Sequence, residues 1–160
     1  MNIFVLDKDK ITNAKYYIDK HVIKMILEYT QILSSVYYFT DFIPDGIYKL
    51  YGKNHPASLW ARESLDNWLW LKEMADILVS EYEYRFNKTH KCKAVLANMP
   101  TPHLQNIGLT DFAQVMPDKY KNDNVCKAYQ NYYLGDKIHL FNWKNRQVPE
   151  FVLKHINSTK

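Results

Sequence analysis

The strongest constraint on the fold of this chain is the spacing of its apolar side chains between Ile18 and Val36. On a helix of about 100° per residue with His21 as origin, Ile18, Val22, Met25, Ile26, Tyr29, Ile32, Leu33 and Val36 fall between about +20° and +140°. A stripe of that width faces a core. Beside it, between about −80° and 0°, lie Asn13, Tyr17, His21, Lys24, Glu28, Gln31 and Ser35. This second stripe is narrow, borders the core directly and carries a base, a cation and an acid along one edge, unlike a Lys/Glu solvent face. Taken by itself, the helix accommodates a second explanation equally well: a rim salt-bridge ladder contributing only about a few tenths of a kcal/mol.

The rest of the chain reads as mainly α. The first long helix is expected from Thr12 or Asn13, a plausible N-cap, towards Tyr38, with a break at TDFIPDG. NIFVLD, ahead of it, reads as a short strand or an extended segment on the core. Pro56 suits the first turn of a second long helix, with Asn54 or His55 near its cap, continuing to about Phe86. Trp60, Ala61, Trp68, Leu71, Met74, Ala75, Leu78, Val79 and Tyr82 share its broad face, together with Ser64 and Asn67. A buried Asn67 must find partners, either as a clamp on neighbouring backbone or as an amide facing a ligand. Arg62 lies opposite, at the surface unless a loop folds over it.

Further on, NKTHKCKAVLANMP predicts a short basic helix ended by Pro100, and TDFAQVMP another helical turn. A third substantial helix begins near Asp123 or Asn124 and is interrupted at Gly135, after which DKIHLFNW resumes as a helical segment. The expected architecture is one compact helical domain over residues 1–160 with long first and second helices.

With 47% apolar and 15% aromatic residues, disorder is excluded as the main state. No apolar run is long enough to span a membrane, and MNIFVLDKDK lacks the regions of a signal peptide, so the chain reads as soluble and intracellular, in a host cell. Cys92 and Cys126 form no metal-like spacing, which argues against a disulfide or a zinc site. No Gly-rich phosphate loop or cofactor motif is found. The formal charge of +4 suits an anionic partner. Lys, His and Tyr interleave in KLYGKNH, YRFNKTHKCK, DKYKN and YYLGDKIH, where aromatics can stack on bases while cations meet phosphates. DNA or a nucleotide is the expected partner.

Asp19, His21, Val22 and Glu28 make the pattern D-x-H-V-x5-E, which resembles the first-helix signature of the phage pyrimidine-dimer DNA glycosylases of the endonuclease V type. NYYLGDKIH is similar to the aromatic and basic tail of that family. Over nearly its whole length, through DKHVIKMILE, NHPASLWARES, MPDKY and YQNYYLGDK, the chain also resembles a family of small proteins of phages and large DNA viruses, a likeness that carries no activity with it. The glycosylase resemblance implies an all-α, cofactor-free enzyme whose terminal amine attacks the sugar C1′ of a damaged nucleotide, forms a Schiff base and cuts the strand by elimination. By position it implies Glu28 as the catalytic acid and His21 as a phosphate or substrate contact. The family exposes a small residue after removal of the initiator methionine, whereas Asn2 here disfavours removal, and the spacer to the histidine is longer.

The residues weigh this chemistry independently. A free α-amine ordinarily titrates at about 7.7–8.0 and is a usable nucleophile near neutrality. Lys24 has Glu28 one turn on, which favours its charged form, so the terminal amine is preferred over it. Between His21 and Lys24, Glu28 suits stabilisation of a sugar cation better than proton donation. The leading reading is a viral DNA-binding protein, with DNA glycosylase and lyase action on damaged or modified bases as its sharper form. Lys20, Lys24, Asn54, His55, Asn67, Tyr133 and Lys137 are the expected substrate contacts, Asn54 and His55 because helix amides and dipole converge there. Plain capping explains those two equally well. The alternative reading is a non-catalytic protein that sequesters a nucleotide in an aromatic, basic pocket. A third is a small virion or interaction protein.

Overall fold

In the computed structural model, which describes residues 1–160, seven α-helices are joined by loops and three short 3-10 turns, and no strand is present. They are α1 (Lys10–Tyr16), α2 (Asp19–Val36), α3 (Pro56–Glu63), α4 (Leu65–Phe86), α5 (Cys92–Ala97), α6 (Val125–Asp136) and α7 (Glu150–Ser158). The fold is mainly α. The apolar stripe of α2 is buried along its whole length and packs chiefly on α4, against which α1 and α3 also lie. One hydrophobic cluster of 32 buried residues runs from Ile3 to Val152. No helix is long and apolar enough to cross a membrane.

The amino-terminal segment is extended but makes no strand, because helix side chains take the backbone bonds that a ladder would use. Phe4 N–H donates to the Tyr29 hydroxyl at 3.0 Å, and Phe4 O accepts from Tyr17 Oη at 2.6 Å and from Asn13 Nδ2 at 3.0 Å. The Tyr17 and Tyr29 hydroxyls bond each other and close the ring. Leu6 N–H donates to Asn13 Oδ1 at 2.7 Å, and Leu6 O accepts from Gln130 Nε2 at 2.9 Å. Asn13 is therefore a clamp on this segment. The cap of α1 is Asp9, whose carboxylate accepts from Thr12 N–H at 3.0 Å.

The single long first helix expected from periodicity is two helices, broken at Tyr17 and Ile18, both extended and buried. Arg85 of α4 accounts for the break. Its side chain is buried, and all five of its N–H donors are used. Nε bonds Glu81 at 2.7 Å, Nη1 bonds Tyr17 O at 2.7 Å and Asp19 at 3.0 Å, and Nη2 reaches Ala14 O and Lys15 O at 3.2 and 3.0 Å. Carbonyls orphaned at the end of α1 thus find donors from another helix. Glu81 also receives two bonds of 2.9 Å from Arg146. Burial alone would raise its carboxyl, but the bonds from Arg146 and Arg85 outweigh that and hold it below the ordinary range.

The second long helix likewise divides, at Ser64, which is extended. Leu65 N–H, which a continuous helix would satisfy internally, donates to Gln105 O at 3.0 Å, and Ser64 Oγ accepts from Ile107 N–H at 3.1 Å. A loop forty residues downstream in sequence thus stands in for the helical turn. The start at Pro56 and the end at Phe86 are as predicted, the latter closed by Asn87 in the left-handed region at φ 52°. Arg62 is half-buried at the surface: its guanidinium sits 3.9 Å above the Phe39 ring and donates to Lys53 O at 2.6 Å.

TDFAQVMP forms no helical turn, because Tyr129 and Asn67 side chains bind its backbone at Ala113, Val115 and Thr110. Gly135 does not interrupt α6. It lies within that helix, where the Tyr120 ring occupies the space a Cβ would need. DKIHLFNW shrinks to one 3-10 turn, Ile138–Leu140.

Removing a partner from a buried charge network leaves uncompensated charge and typically costs about 3–5 kcal/mol. Arg85→Ala is expected to lose stability of that order in urea denaturation, and Arg85→Lys a large part of it, since three donors cannot replace five.

Candidate active site

Glu28 and the amino terminus meet on the polar edge of α2. The α-amine of Met1 lies 3.9 Å from Glu28 Oε1, and the two side chains keep only 6% and 14% of their exposure. Local structure accounts for this placement. Tyr29, next to Glu28, holds Phe4 N–H, and Asn2 is fixed by donating to Val115 O at 2.7 Å and by lying 2.6 Å from the Tyr129 hydroxyl. With residues 2–6 buried, the amine has little freedom. Gly52 closes the other side in the left-handed region at φ 59°, where a Cβ would run into the Met1 side chain.

His55 belongs to the same group. It is the N-cap of α3, with Nδ1 accepting from Ala57 N–H at 3.1 Å. Burial lowers its pKa, the Met1 ammonium lowers it further, and the Glu28 carboxylate pulls it back up. The ring is thus neutral at pH 7 with its proton on Nε2, because Nδ1 is the acceptor. Capping and a donor role coexist on its two nitrogens. Asn54 beside it is exposed.

His21 sits two turns from Glu28, about 10 Å along the helix axis, on the same face but in different surroundings. It is 7% exposed, stacked on Phe4 with centroids 4.2 Å apart, and its Nδ1 is 2.7 Å from the Tyr133 hydroxyl. Burial, then the nearby Lys137 and Lys24, push its pKa down to about 3. It is a neutral ring, bonded through Nδ1 to the Tyr133 hydroxyl, whose oxygen also receives Ile18 N–H at 3.4 Å. Lys137 Nζ lies 5.0 Å from the centre of the Tyr132 ring, which stacks on the far side of this aromatic group. Lys20 and Lys24 are exposed on α2.

Of the residues singled out in the sequence, Glu28 and His55 are brought to the Met1 amine, while His21, Tyr133, Lys137 and Lys24 form a second cluster along the same helix. Asn67 is at neither. It is fully buried, donates to Trp60 O and Thr110 Oγ1 at 2.8 Å each, and accepts from Thr110 N–H at 2.9 Å, which is the clamp role. Asp19 of the same signature serves Arg85 and Lys144 N–H rather than this site. A cavity of about 540 Å³ between the amino-terminal segment, α6 and α7 is lined by Asp7, Lys127 and His155 among others and touches neither cluster. No cluster of His, Cys, Asp and Glu side chains is arranged to hold a metal ion.

A protein-family model described as pyrimidine dimer DNA glycosylase matches residues 1–94. That span holds Met1, Asp19, His21, Lys24, Glu28, Asn54, His55 and Arg85, and leaves out α6 with Tyr133. No curated protein and no solved structure matches the chain.

The depressed His21 carries a pH signature. In the folded protein it stays neutral down to about pH 3, whereas in the unfolded chain it takes up a proton below about pH 6.5. Its stabilisation is complete above that unfolded value and is lost as pH falls towards the folded one, by up to about 1.4 kcal/mol per pH unit. Urea titrations at pH 7, 6 and 5 should show His21→Gln with a shallower loss of stability than the wild type.

Proposed function

Since the chain belongs to the pyrimidine dimer DNA glycosylase family, we propose that it excises damaged pyrimidines from DNA and cuts the strand, using the Met1 amine as nucleophile. Family membership supports a glycosylase-like function with DNA as partner. The observation that carries the finer reading is the Met1 amine 3.9 Å from Glu28 in a half-closed setting beside His55.

The chemistry balances with these groups. The amine gives a proton to Glu28, directly or through water, and its lone pair forms the bond to C1′ while the base leaves with the electron pair of the glycosidic bond and takes up one proton of the new ammonium. Opening of the sugar ring, with the proton returned to O4′, gives the Schiff base. Glu28, again a carboxylate, takes a C2′ proton, the electron pair released expels the 3′ phosphate, and water hydrolyses the Schiff base to free the amine. Glu28 as a carboxylate also stabilises the positive charge that develops at C1′. His55 presents an Nε2 donor to a phosphate or sugar oxygen, and Lys20, Lys24 and Lys137 supply phosphate contacts, with Tyr132 beside Lys137 and Tyr133 buried beneath. A protein that only sequesters a nucleotide needs no nucleophile, and the amine–carboxylate pair favours the enzyme over it.

The test is borohydride trapping with DNA carrying a thymine dimer or an abasic site, read by intact mass so that the mature terminus is defined too. An adduct is expected with the wild type and none once an added residue blocks the amine. Glu28→Gln should abolish turnover while leaving DNA affinity largely intact, because its charge is needed when the sugar becomes cationic. Equal losses of binding and turnover would instead make Glu28 a ground-state contact. DNA left intact, with no adduct formed, ends the enzyme reading. Binding should also weaken with salt, and Lys20→Ala, Lys24→Ala or Lys137→Ala should each reduce the slope of log affinity against log salt by about 0.7–0.9.

A further inference from the structure

Tyr129, on the buried face of α6, is fully enclosed, and its hydroxyl is crowded with partners. It lies 2.6 Å from Asn2 Oδ1 and 2.7 Å from Ala113 O, with one proton for these two acceptors, and its oxygen receives Val115 N–H at 3.4 Å. Burial pushes its pKa up, so it stays a donor near neutrality. Asn2 closes the ring: its Nδ2 donates to Val115 O at 2.7 Å, and its Oδ1 also accepts from Ile3 N–H at 3.0 Å. The second residue of a chain ordinarily belongs to its least ordered part. Here it is 8% exposed and tied to Ile3, Val115 and Tyr129.

We propose that Tyr129 is a positioning residue for the nucleophile, its hydroxyl fixing the Met1 amine against Glu28 by way of Asn2. This deepens the glycosylase reading and rests on it. Nothing precedes a terminal amine in the chain, so its tether must come from the residues after it. Tyr29 anchors the segment only as far as Phe4, whose N–H it holds at 3.0 Å. Asn2 is the last tether before the amine. Between its anchored Cα and the amine only Asn2 φ and Met1 ψ are left to turn, because the peptide between them is planar. The end of the Met1 side chain is packed at Gly52, which restricts those rotations further. Asn2, being large, also keeps Met1 in place, so one residue both retains the nucleophile and aims it. The same hydroxyl of Tyr129 holds the backbone at Ala113 and Val115, the wall that supplies the acceptor for Asn2 Nδ2. Tyr129 lies outside residues 1–94, so the part of the chain that carries the amine is aimed by a part beyond the family match.

The experiment uses the full chain with abasic and thymine-dimer DNA at saturating concentration, in single turnover, with borohydride trapping read by intact mass. Tyr129→Phe keeps the ring and removes only the hydroxyl. It should lower the trapping rate by about 10- to 100-fold, the scale of a small misplacement of a reacting group, with DNA affinity unchanged. Asn2→Leu, large enough to keep Met1, should lower the rate at least as far, and adding Tyr129→Phe to it should lower the rate no further, because both changes cut one tether. A hydroxyl that only supports the fold gives losses that add. Additive losses, a Tyr129→Phe rate equal to that of wild type, or a mature chain that begins at Asn2 overturns the positioning role. Melting curves keep each assay below the transition, and if Tyr129→Phe does not fold, an unimpaired rate in Asn2→Leu overturns the role alone. The glycosylase reading stands wherever wild type is trapped. A wild type that forms no adduct and leaves both substrates intact overturns both.

Discussion

The guanidinium of Arg85 is the point through which the remaining geometry is set. It takes carbonyls from the end of α1, the carboxylate at the start of α2 and Glu81 of its own helix, and Glu81 in turn holds Arg146. Two cations and two carboxylates make the buried network neutral overall, which is the condition under which such a group is tolerated away from water. A hydrophobic replacement could match its stability but not its directions. Five fixed donors specify where one helix stops and the next begins, and so fix the rotation of α2 about its axis. With the apolar stripe of α2 committed to α4, the polar stripe has one orientation left, towards the amino terminus and the approach to α3.

A second constraint works through backbone bonding. An extended segment buried in a helical protein would strand its N–H and C=O groups, at a cost of about 1–3 kcal/mol each. Here Tyr17, Tyr29, Asn13 and Gln130 meet that demand. The hydroxyls sit on buried faces, where a phenylalanine would fill the same volume without holding the chain. Positioning of the amine beside Glu28 is therefore a product of core packing.

Much of this was legible in the sequence, and what was missed has one physical cause. The stripe from Ile18 to Val36 is buried as periodicity required, Pro56 opens its helix, and Asn124 caps α6. His21 and Glu28 share one face because helix geometry leaves no choice. The breaks at Tyr17–Ile18 and at Ser64 escaped notice because local propensity is unbroken there. They are made by Arg85 and by the loop at Gln105, partners that periodicity does not see. Asn67 could be read two ways, and only the position of Thr110 distinguishes them. By position in the resembled signature His21 was expected as a phosphate or substrate contact. Burial between Phe4 and Tyr133 makes it neutral, and burial of a polar-stripe residue depends on what packs over it from α6 and the amino-terminal segment. Gly52 gave no signal in the sequence beyond an interleaved basic and aromatic run.

The protonation pattern then divides the labour along α2. Both histidines near the polar stripe have depressed pKa values and an engaged Nδ1, and at neutral pH His55, whose Nδ1 is an acceptor, offers only an Nε2 donor. For His55, protonation of Nδ1 would cost the cap bond from Ala57 N–H. Glu28, the carboxylate of this set, lies instead against the Met1 amine. Lys20 and Lys24 are exposed along the same helix, and Lys137 is half-buried over the Tyr132 ring. Under the proposed function, base and nucleophile sit at the more enclosed end of the polar stripe of α2, and the phosphate-binding lysines along its open side.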